Sequence, residues 1–341
     1  TQPVSGAIYL GKNLVQIHID QTKILTDLRI YNDLAQGVEV SSFVDSINVA
    51  DNQGKEIVLR VSTPNIMNTG NSFYTDSMGL EMQKRVLNIR PTWNFSVSQL
   101  AAGNYYPVQC AIYIQDQTTQ ERLAVIPDRA QGGAALATGA IELMIHRRLV
   151  VDDARGVGEA LNEKDWDGQG LRQWVTHTVL FSKPGYIDTH YRQIQYNNDQ
   201  PNTVILAQYS SSSVPNKIPA EKSLLYEGLD LDYIKILSRP LGTLKFLYRF
   251  QNLDETQTRK VSTSVFQSPV MKLAKITEMS LSANQAKADM VKNKFNWNGR
   301  LLNNASFINT DYLTSDSFAL RPLEIRTFIG EYNYNAKLID M

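Results

Sequence analysis

The chain has 341 residues, 43% hydrophobic and 20% charged, an ordinary globular balance with enough apolar mass for two domains or one large all-β domain. Lys plus Arg and Asp plus Glu stand at 34 each, which leaves no electrostatic case for nucleic acid or an anionic membrane as partner. No apolar run reaches the ~18 residues of a membrane-spanning helix, and Cys110, the only cysteine, allows no disulfide within the chain.

In chain order, strands dominate. The opening TQPVSGAIYL has no Met, no basic start and no long apolar core, so an internal cut or a matured fragment is expected. SGAIYL, LVQIHID and KILTDLRIY are short and β-rich, with His18 and Asp20 alternating against Ile17 and Ile19. VEVSSFVDSINV and KEIVLRVSTP follow, separated by the turn signal Asp51-Asn52-Gln53-Gly54. Then come SFYTD, MQKRVLNIR, the Pro-marked RPTWNFSV, GNYYPVQCAIYIQD, RLAVIPD, a Gly132-Gly133 loop, and later WVTHTVLFS, TVILAQYS and GTLKFLYRFQNL. Gln285–Phe295 is the best helical candidate. Tyr196–Leu224, rich in Asn, Ser and Pro, reads as a long loop and as the boundary between residues 1–200 and 201–341. The class is mainly β, built of antiparallel sandwiches.

The stretch that draws attention is IELMIHRRLVVDDARGVGEALNE, Ile141–Glu163. Alternation places Ile141, Leu143, Ile145, Arg147 and Leu149 on one strand face and Glu142, Met144, His146 and Arg148 on the other. A turn then carries Asp152, Asp153 and Arg155, followed by Gly156 and Gly158. Two carboxylates, a guanidinium and two glycines at the tip of a buried-looking strand describe a polar binding loop on a rigid support, or equally a solvated turn with a local Asp–Arg pair.

No complete catalytic set accompanies that loop. His18 and Asp20 share a strand face at a spacing zinc accepts, but His146, His177 and His190 are scattered and supply no further ligand at a recognisable interval. Asp152 and Asp153 are adjacent, so in extended backbone they point apart and do not flank one glycosidic bond. Cys110, in the apolar-rich PVQCAIYI, reads as a core residue. Asn94-Phe95-Ser96 and Asn304-Ala305-Ser306 are glycosylation sequons.

SFYTDSMGLEMQKR (72–85), AGNYYPV (102–108), DRAQGGAAL (128–136), the Ile141–Glu163 stretch, KITEMSLSANQ (275–285) and LRPLEIRTFI (320–329) together resemble, in the same order, the C-terminal half of class II α-mannosidases, glycoside hydrolase family thirty-eight. His146 before Arg147-Arg148, with Gly158-Glu159 after the loop, is more similar to the lysosomal and vacuolar acid enzymes than to the Golgi ones. The resemblance implies a large mutarotase-like β-sandwich with smaller β-sandwich domains. It implies a retaining enzyme acting on terminal α-mannose of N-linked glycans, located in the lysosome or vacuole or secreted. Its Asp nucleophile, carboxylic acid and zinc would sit on a separate N-terminal α/β-barrel chain. His18-Ile-Asp20 is not the family's zinc motif, since Gln21-Thr22 follow in place of Gly-Trp.

Within the family the D-D-x-R-G loop reaches the sugar, and its Arg corresponds to Arg155, with Asp152 and Asp153 expected to orient it. A tyrosine of the family's S-G-A-aromatic strand lines the pocket. Here Tyr9 follows Ser5-Gly6-Ala7-Ile8, displaced by one, which turns it to the other face unless a bulge intervenes. Asp128 and Arg129 are expected to hold the glycine turn, and Trp93, Tyr105 and Tyr106 to pack. Two rivals remain: a non-catalytic carbohydrate-binding or structural sandwich, and a self-contained epimerase-like enzyme with a His and a carboxylate in one cleft.

Overall fold

The computed structural model describes residues 5–21, 23–32, 37–63, 65–77, 79, 81–156, 158–199, 234–242, 244–267, 271–294 and 316–334. The chain folds as two compact units, Thr1–Pro201 and Asn202–Met341.

In the first unit the strands run Ser5–Leu10 (β1), Leu14–Gln21 (β2), Ile24–Tyr31 (β3), Val38–Val44 (β4), Lys55–Ser62 (β5), Ser72–Ser77 (β6) and Glu81–Val86 (β7). A short helix, Leu100–Asn104 (α1), precedes Tyr106–Val108 (β8), Ile112–Gln115 (β9), Arg122–Pro127 (β10), Gln131–Ala137 (β11), Ala140–Arg148 (β12) and Gln173–Ser182 (β13). They form a nine-stranded sheet, β1-β2-β3-β4-β13-β10-β9-β6-β7, and a four-stranded sheet, β5-β12-β11-β8. Pairing is antiparallel in both. Phe73, Ile112, Ile114, Leu123 and Val125 of the large sheet meet Ala135, Ile141 and Leu143 of the small one, each 8% exposed or less. Burying a large side chain of this kind contributes about 1.5–3 kcal/mol, so the interior between the two sheets is the main stabilising feature of the unit.

Several expectations are corrected here. RPTWNFSV forms no strand, because Pro91 supplies no ladder N–H; the segment is held by stacking instead, with the Arg90 guanidinium 4.6 Å from the Phe95 ring centre and Trp93 5.0 Å from Phe95. Gly132 and Gly133 are not a loop but lie inside β11. A Cβ on Gly133 would come within 2.7 Å of Val108 and 2.9 Å of Leu143, so the glycine is required by close packing between strands. Pro184–Asp199 is a helix (α2), which absorbs the first residues of the expected loop; residues 200–224 lie outside the described set. Ile187, Tyr191 and Ile194 form a stripe at i, i+4, i+7 that packs on Ala124, Ile126 and Leu180 across the outer face of the large sheet.

PVQCAIYI also departs from a single strand. β8 belongs to the small sheet and β9 to the large one, and the chain changes sheet at Gln109–Ala111. The buried Asp76 holds that corner: its Oδ1 accepts from the N–H groups of Gln109, Cys110 and Ala111 at 2.8, 2.8 and 3.1 Å, and its Oδ2 from Gly79 at 2.8 Å. Cys110 therefore sits at a bend, and burial pushes its thiol up to about 12, which makes it a poor nucleophile.

A histidine lies within the sandwich interior. His177, on β13, is fully buried, and its Nε2 donates to Gln131 Oε1 at 2.9 Å while Nδ1 finds no partner among the described residues. Burial pulls its pKa down to about 4, against a smaller upward pull from Asp128.

The second unit contains Ile234–Gly242 (β14), Lys245–Asn252 (β15), Arg259–Ser262 (β16), Met271–Met279 (β17), the short helix Lys287–Lys292 (α3), Ser317–Leu320 (β18) and Ile325–Tyr334 (β19). The sheet β14-β15-β19-β17 and the pair β16-β18 enclose Phe250, Phe266, Phe318 and Phe328, whose ring centres lie 4.9 to 6.0 Å apart. α3 is shorter than the helix expected over 285–295, and TVILAQYS, Phe295 and Asn304 fall outside the described residues.

Asp76→Ala leaves four backbone donors at the sheet-switching corner without their acceptor, and a loss of about 3 kcal/mol is expected in the denaturant midpoint of the first unit, with a native-like baseline outside that region. For His177 the unfolded value is about 6.5 and the folded value is lower. Its cost is therefore absent above that value and grows as pH falls towards about 4. His177→Gln is expected to remove about 2–3 kcal/mol from the stability difference between pH 7.5 and 4.5, read from urea unfolding at the two pH values.

Candidate functional site

The site is built on β12. Its ladder with β5 slips between Met144↔Val58 and His146↔Ile57, leaving Ile145 as an extra residue. Every side chain after a one-residue bulge turns to the opposite face. Ile141 and Leu143 enter the sandwich interior as alternation requires. Beyond the bulge the pairings His146↔Ile57 and Arg148↔Lys55 bring His146 and Arg148 to that inward side, while Arg147 faces out and binds Glu56 at 2.9 Å. This overturns the simple grouping of Ile145, Arg147 and Leu149 with Ile141.

The inward residues fasten the loop that follows. His146 Nε2 donates to the Leu171 carbonyl at 2.9 Å. Arg148 donates from Nε to Asn162 Oδ1 and from Nη1 to the Ile47 carbonyl, both at 2.7 Å. Leu149 N–H bonds the Leu161 carbonyl at 2.9 Å, which brings the two stems of the loop together at one neck. The next turn is fixed by Arg172, which reaches Asp45 at 3.1 Å, Asp165 at 3.1 Å and Asp167 at 2.7 Å. The bond from Arg172 is the chief reason the Asp167 carboxyl is held below its ordinary value.

At the tip, the two aspartates serve the backbone. Asp152 Oδ2 accepts from the Ala154 N–H at 2.8 Å and Asp153 Oδ1 from the Arg155 N–H at 3.0 Å. Ala154 takes a φ of +56°, a left-handed conformation that costs a non-glycine residue about 1 kcal/mol or more. Gly158, at φ +78°, needs its lack of a Cβ for the same reason, whereas an added Cβ on Gly156 would meet nothing within 4 Å. The carboxylates thus shape the turn that carries Arg155, and among the described residues neither pairs with its guanidinium. The Arg155 side chain is exposed and has no hydrogen-bond or ion-pair partner among the described residues.

Asp152, Asp153 and Arg155 rim an open depression of about 500 Å³ together with Arg147, Glu159 and Glu163, over a floor that includes Leu149 and Leu161. Four carboxylates and two guanidiniums make it a polar surface that offers acceptors to hydroxyl donors and, through Arg155, donors to hydroxyl or carboxylate oxygens. Sequence reasoning missed Glu159 and Glu163 as rim groups and Arg148 and Asn162 as the fastening. Their signal was the Arg-Arg doublet, whose two members alternate to opposite faces as any strand neighbours do; the bulge decides that Arg148, not Arg147, is the one turned inward.

Tyr9 is not brought to this depression. It lies on β1, the outer edge of the nine-stranded sheet, 57% exposed, and the β1–β2 register runs unbroken from Ser5↔Asp20 to Leu10↔Val15, so no bulge turns it. His18 bonds Asp27 at 2.7 Å on the neighbouring ladder and does not line the depression. Among the described residues no three His, Cys, Asp or Glu side chains are grouped to hold a metal ion. Asp128 pairs with Arg129 at 2.9 Å and accepts from the Thr176 N–H, while Arg129 reaches the Trp174 carbonyl; they brace β13 rather than a glycine turn. Tyr105 bonds Glu142, and burial raises its hydroxyl well above the ordinary range. Tyr106 lies between Arg85 and Arg90, with guanidinium carbons 4.4 and 4.7 Å from its ring centre. Trp93 and Asn94 are exposed.

Residues 10–155 match the family described as glycosyl hydrolases family 38 C-terminal domain, a span that ends on the arginine of the turn. Over 322 residues the chain is 34% identical to a protein of Mus musculus named lysosomal alpha-mannosidase, covering 90% of this chain and 30% of that protein. The lysosomal alpha-mannosidase of Dictyostelium discoideum is 30% identical over 328 residues, covering 90% and 31%. The alpha-mannosidase of Canavalia ensiformis is 31% identical over 329 residues, covering 89% and 32%. The chain thus spans roughly a third of the length of these relatives. Its antiparallel sandwiches, the family match ending at Arg155 and the similarity along nine-tenths of its length give one conclusion: the chain belongs to glycosyl hydrolase family 38, in the C-terminal region of the class II α-mannosidases.

Proposed function

We propose that this chain is the β-rich scaffold of a zinc-dependent, retaining α-mannosidase that removes terminal α-D-mannose from N-linked glycans. The nucleophile, the acid and the zinc are assigned to an N-terminal α/β-barrel polypeptide of the same enzyme. The observation that carries the reading is the state of Arg155: an exposed guanidinium without a partner among the described residues, presented by a turn whose own carboxylates are spent on its backbone. Arginine stays protonated at acid pH and offers several fixed donors, which suits it to grip mannose hydroxyls or a carboxylate of the barrel. Asp152 and Asp153 set the backbone from which it reaches.

Relatives named lysosomal in three organisms support a lysosomal setting, the first of the lysosomal, vacuolar and secreted settings expected. In that setting Asn94, exposed within its sequon, is a glycan acceptor. A non-catalytic carbohydrate-binding role has one observation in its favour: Trp174 is 58% exposed and lies 4.9 Å from Phe43, a small aromatic platform on the sheet. Binding of methyl α-mannoside by this chain alone, lost in Trp174→Ala, would favour that role.

Arg155→Ala in the assembled enzyme is expected to lower kcat/KM on an aryl α-mannoside by about 10- to 1000-fold with an unchanged unfolding temperature, the loss for a charged hydrogen bond made at the transition state. Near-normal kinetics would return the turn to an ordinary solvated one. Native mass spectrometry is expected to find the chain together with a zinc-containing polypeptide of barrel size, and a zinc-free assembly with full activity would refute the division of labour.

A further inference from the structure

We infer that Arg148 is a positioning residue for Arg155, setting the placement of the guanidinium by clamping the neck of its loop to the sandwich. The inference rests on the reading that Arg155 contacts the substrate. It stands on three observations. Arg148 is the last residue of β12, turned inward by the bulge at Ile145. From there it bonds both the far stem of the loop, at Asn162, and the β4–β5 connection, at the Ile47 carbonyl. Gly170 leaves the space it occupies: a Cβ there would overlap Nη1 and lie 2.8 Å from Cζ.

The geometry of the tip explains why such a clamp matters. Among the described residues Asp152 and Asp153 bond only the adjoining backbone, which fixes the turn's shape but not its location. Location is inherited from the neck, where the Leu149–Leu161 bond and the two Arg148 bonds meet. Arg148 thus joins three segments distant in sequence, and it lies outside the rim of the depression. A group that acts only by placing another affects catalysis only while the other is present. A displacement of about 1 Å at the reacting groups costs about 100-fold in rate.

The test is a double-mutant cycle in the assembled enzyme with Arg148→Ala, Arg155→Ala and the pair, measuring kcat and KM separately on an aryl α-mannoside together with the unfolding temperature. Arg148→Ala is expected to lower kcat/KM by about 10- to 100-fold, and the pair to be no worse than Arg155→Ala alone within about twofold. Gly170→Ala, which displaces the guanidinium without removing it, is expected to reproduce the Arg148→Ala kinetics, and Arg148→Lys to restore part of the loss. If Arg155→Ala is impaired while Arg148→Ala behaves as wild type, or if the two losses multiply, the positioning role is overturned and the site reading survives. If Arg155→Ala is itself silent, the site reading fails and the inference falls with it. Should Arg148→Ala not fold, Gly170→Ala and Arg148→Lys, each paired with Arg155→Ala, carry the same comparison.

Discussion

The constraint on which the site depends is one extra residue in a strand. Ile145 interrupts the β12–β5 ladder, and the interruption converts a strand that would alternate without fault into one whose last turn points the other way. Before the bulge β12 contributes Ile141 and Leu143 to the sandwich interior; after it, the same strand contributes His146 and Arg148 to the loop's foundation. A strand serving both the interior and the neck of the loop that carries Arg155 transmits the rigidity of a close-packed core to a polar rim. Bulges beside functional loops commonly re-aim a side chain in this manner.

Backbone N–H groups are the second theme. Asp76 gathers four of them at the corner where the chain crosses between sheets. Asp116 takes three, from Asn68, Thr118 and Thr119, and these bonds, led by Thr119, hold its carboxyl below the ordinary value. At Asp254 burial works upward, but the bonds from Thr256, Arg259 and Gln257 outweigh it and the carboxyl is again lowered. Carboxylates of this kind keep their contribution above their unfolded value and lose it only as pH falls through the still lower folded one. His177 has the opposite consequence, since its neutral form is enforced by burial and its cost begins on the acid side of neutrality. A protein proposed for an acid compartment therefore concentrates this acid sensitivity in one imidazole between its sheets, and its lowered aspartates resist the same change.

Several of the chain's reactive groups are already engaged within the fold. The aspartates of the loop are occupied by backbone, Cys110 is a half-buried thiol pushed away from ionisation, and His18 is committed to Asp27. Among the described residues the rim groups without a hydrogen-bond or ion-pair partner include Arg155, a group that binds and orients, beside Glu159 and Glu163.

Period-two alternation with frequent turn signals determined, from the amino-acid sequence alone, that the chain is mainly β and antiparallel, and the run DDARG marked the turn and its arginine. Those features were legible because they are local: a strand's pattern and a turn's residue types are set within a few positions. The bulge at Ile145, the turning of Arg148 rather than Arg147 to the inward side, the change of sheet at Gln109–Ala111 and the helix over Pro184–Asp199 were decided only by tertiary structure. Each depends on a partner far along the chain. Val58 and Ile57 define the slip in β12, Asp76 supplies the acceptors at the corner, and Leu180 with Ala124 provides the surface on which a mostly polar helix finds its apolar stripe. Such pairings bring together residues tens of positions apart, and no periodicity within a single segment encodes them.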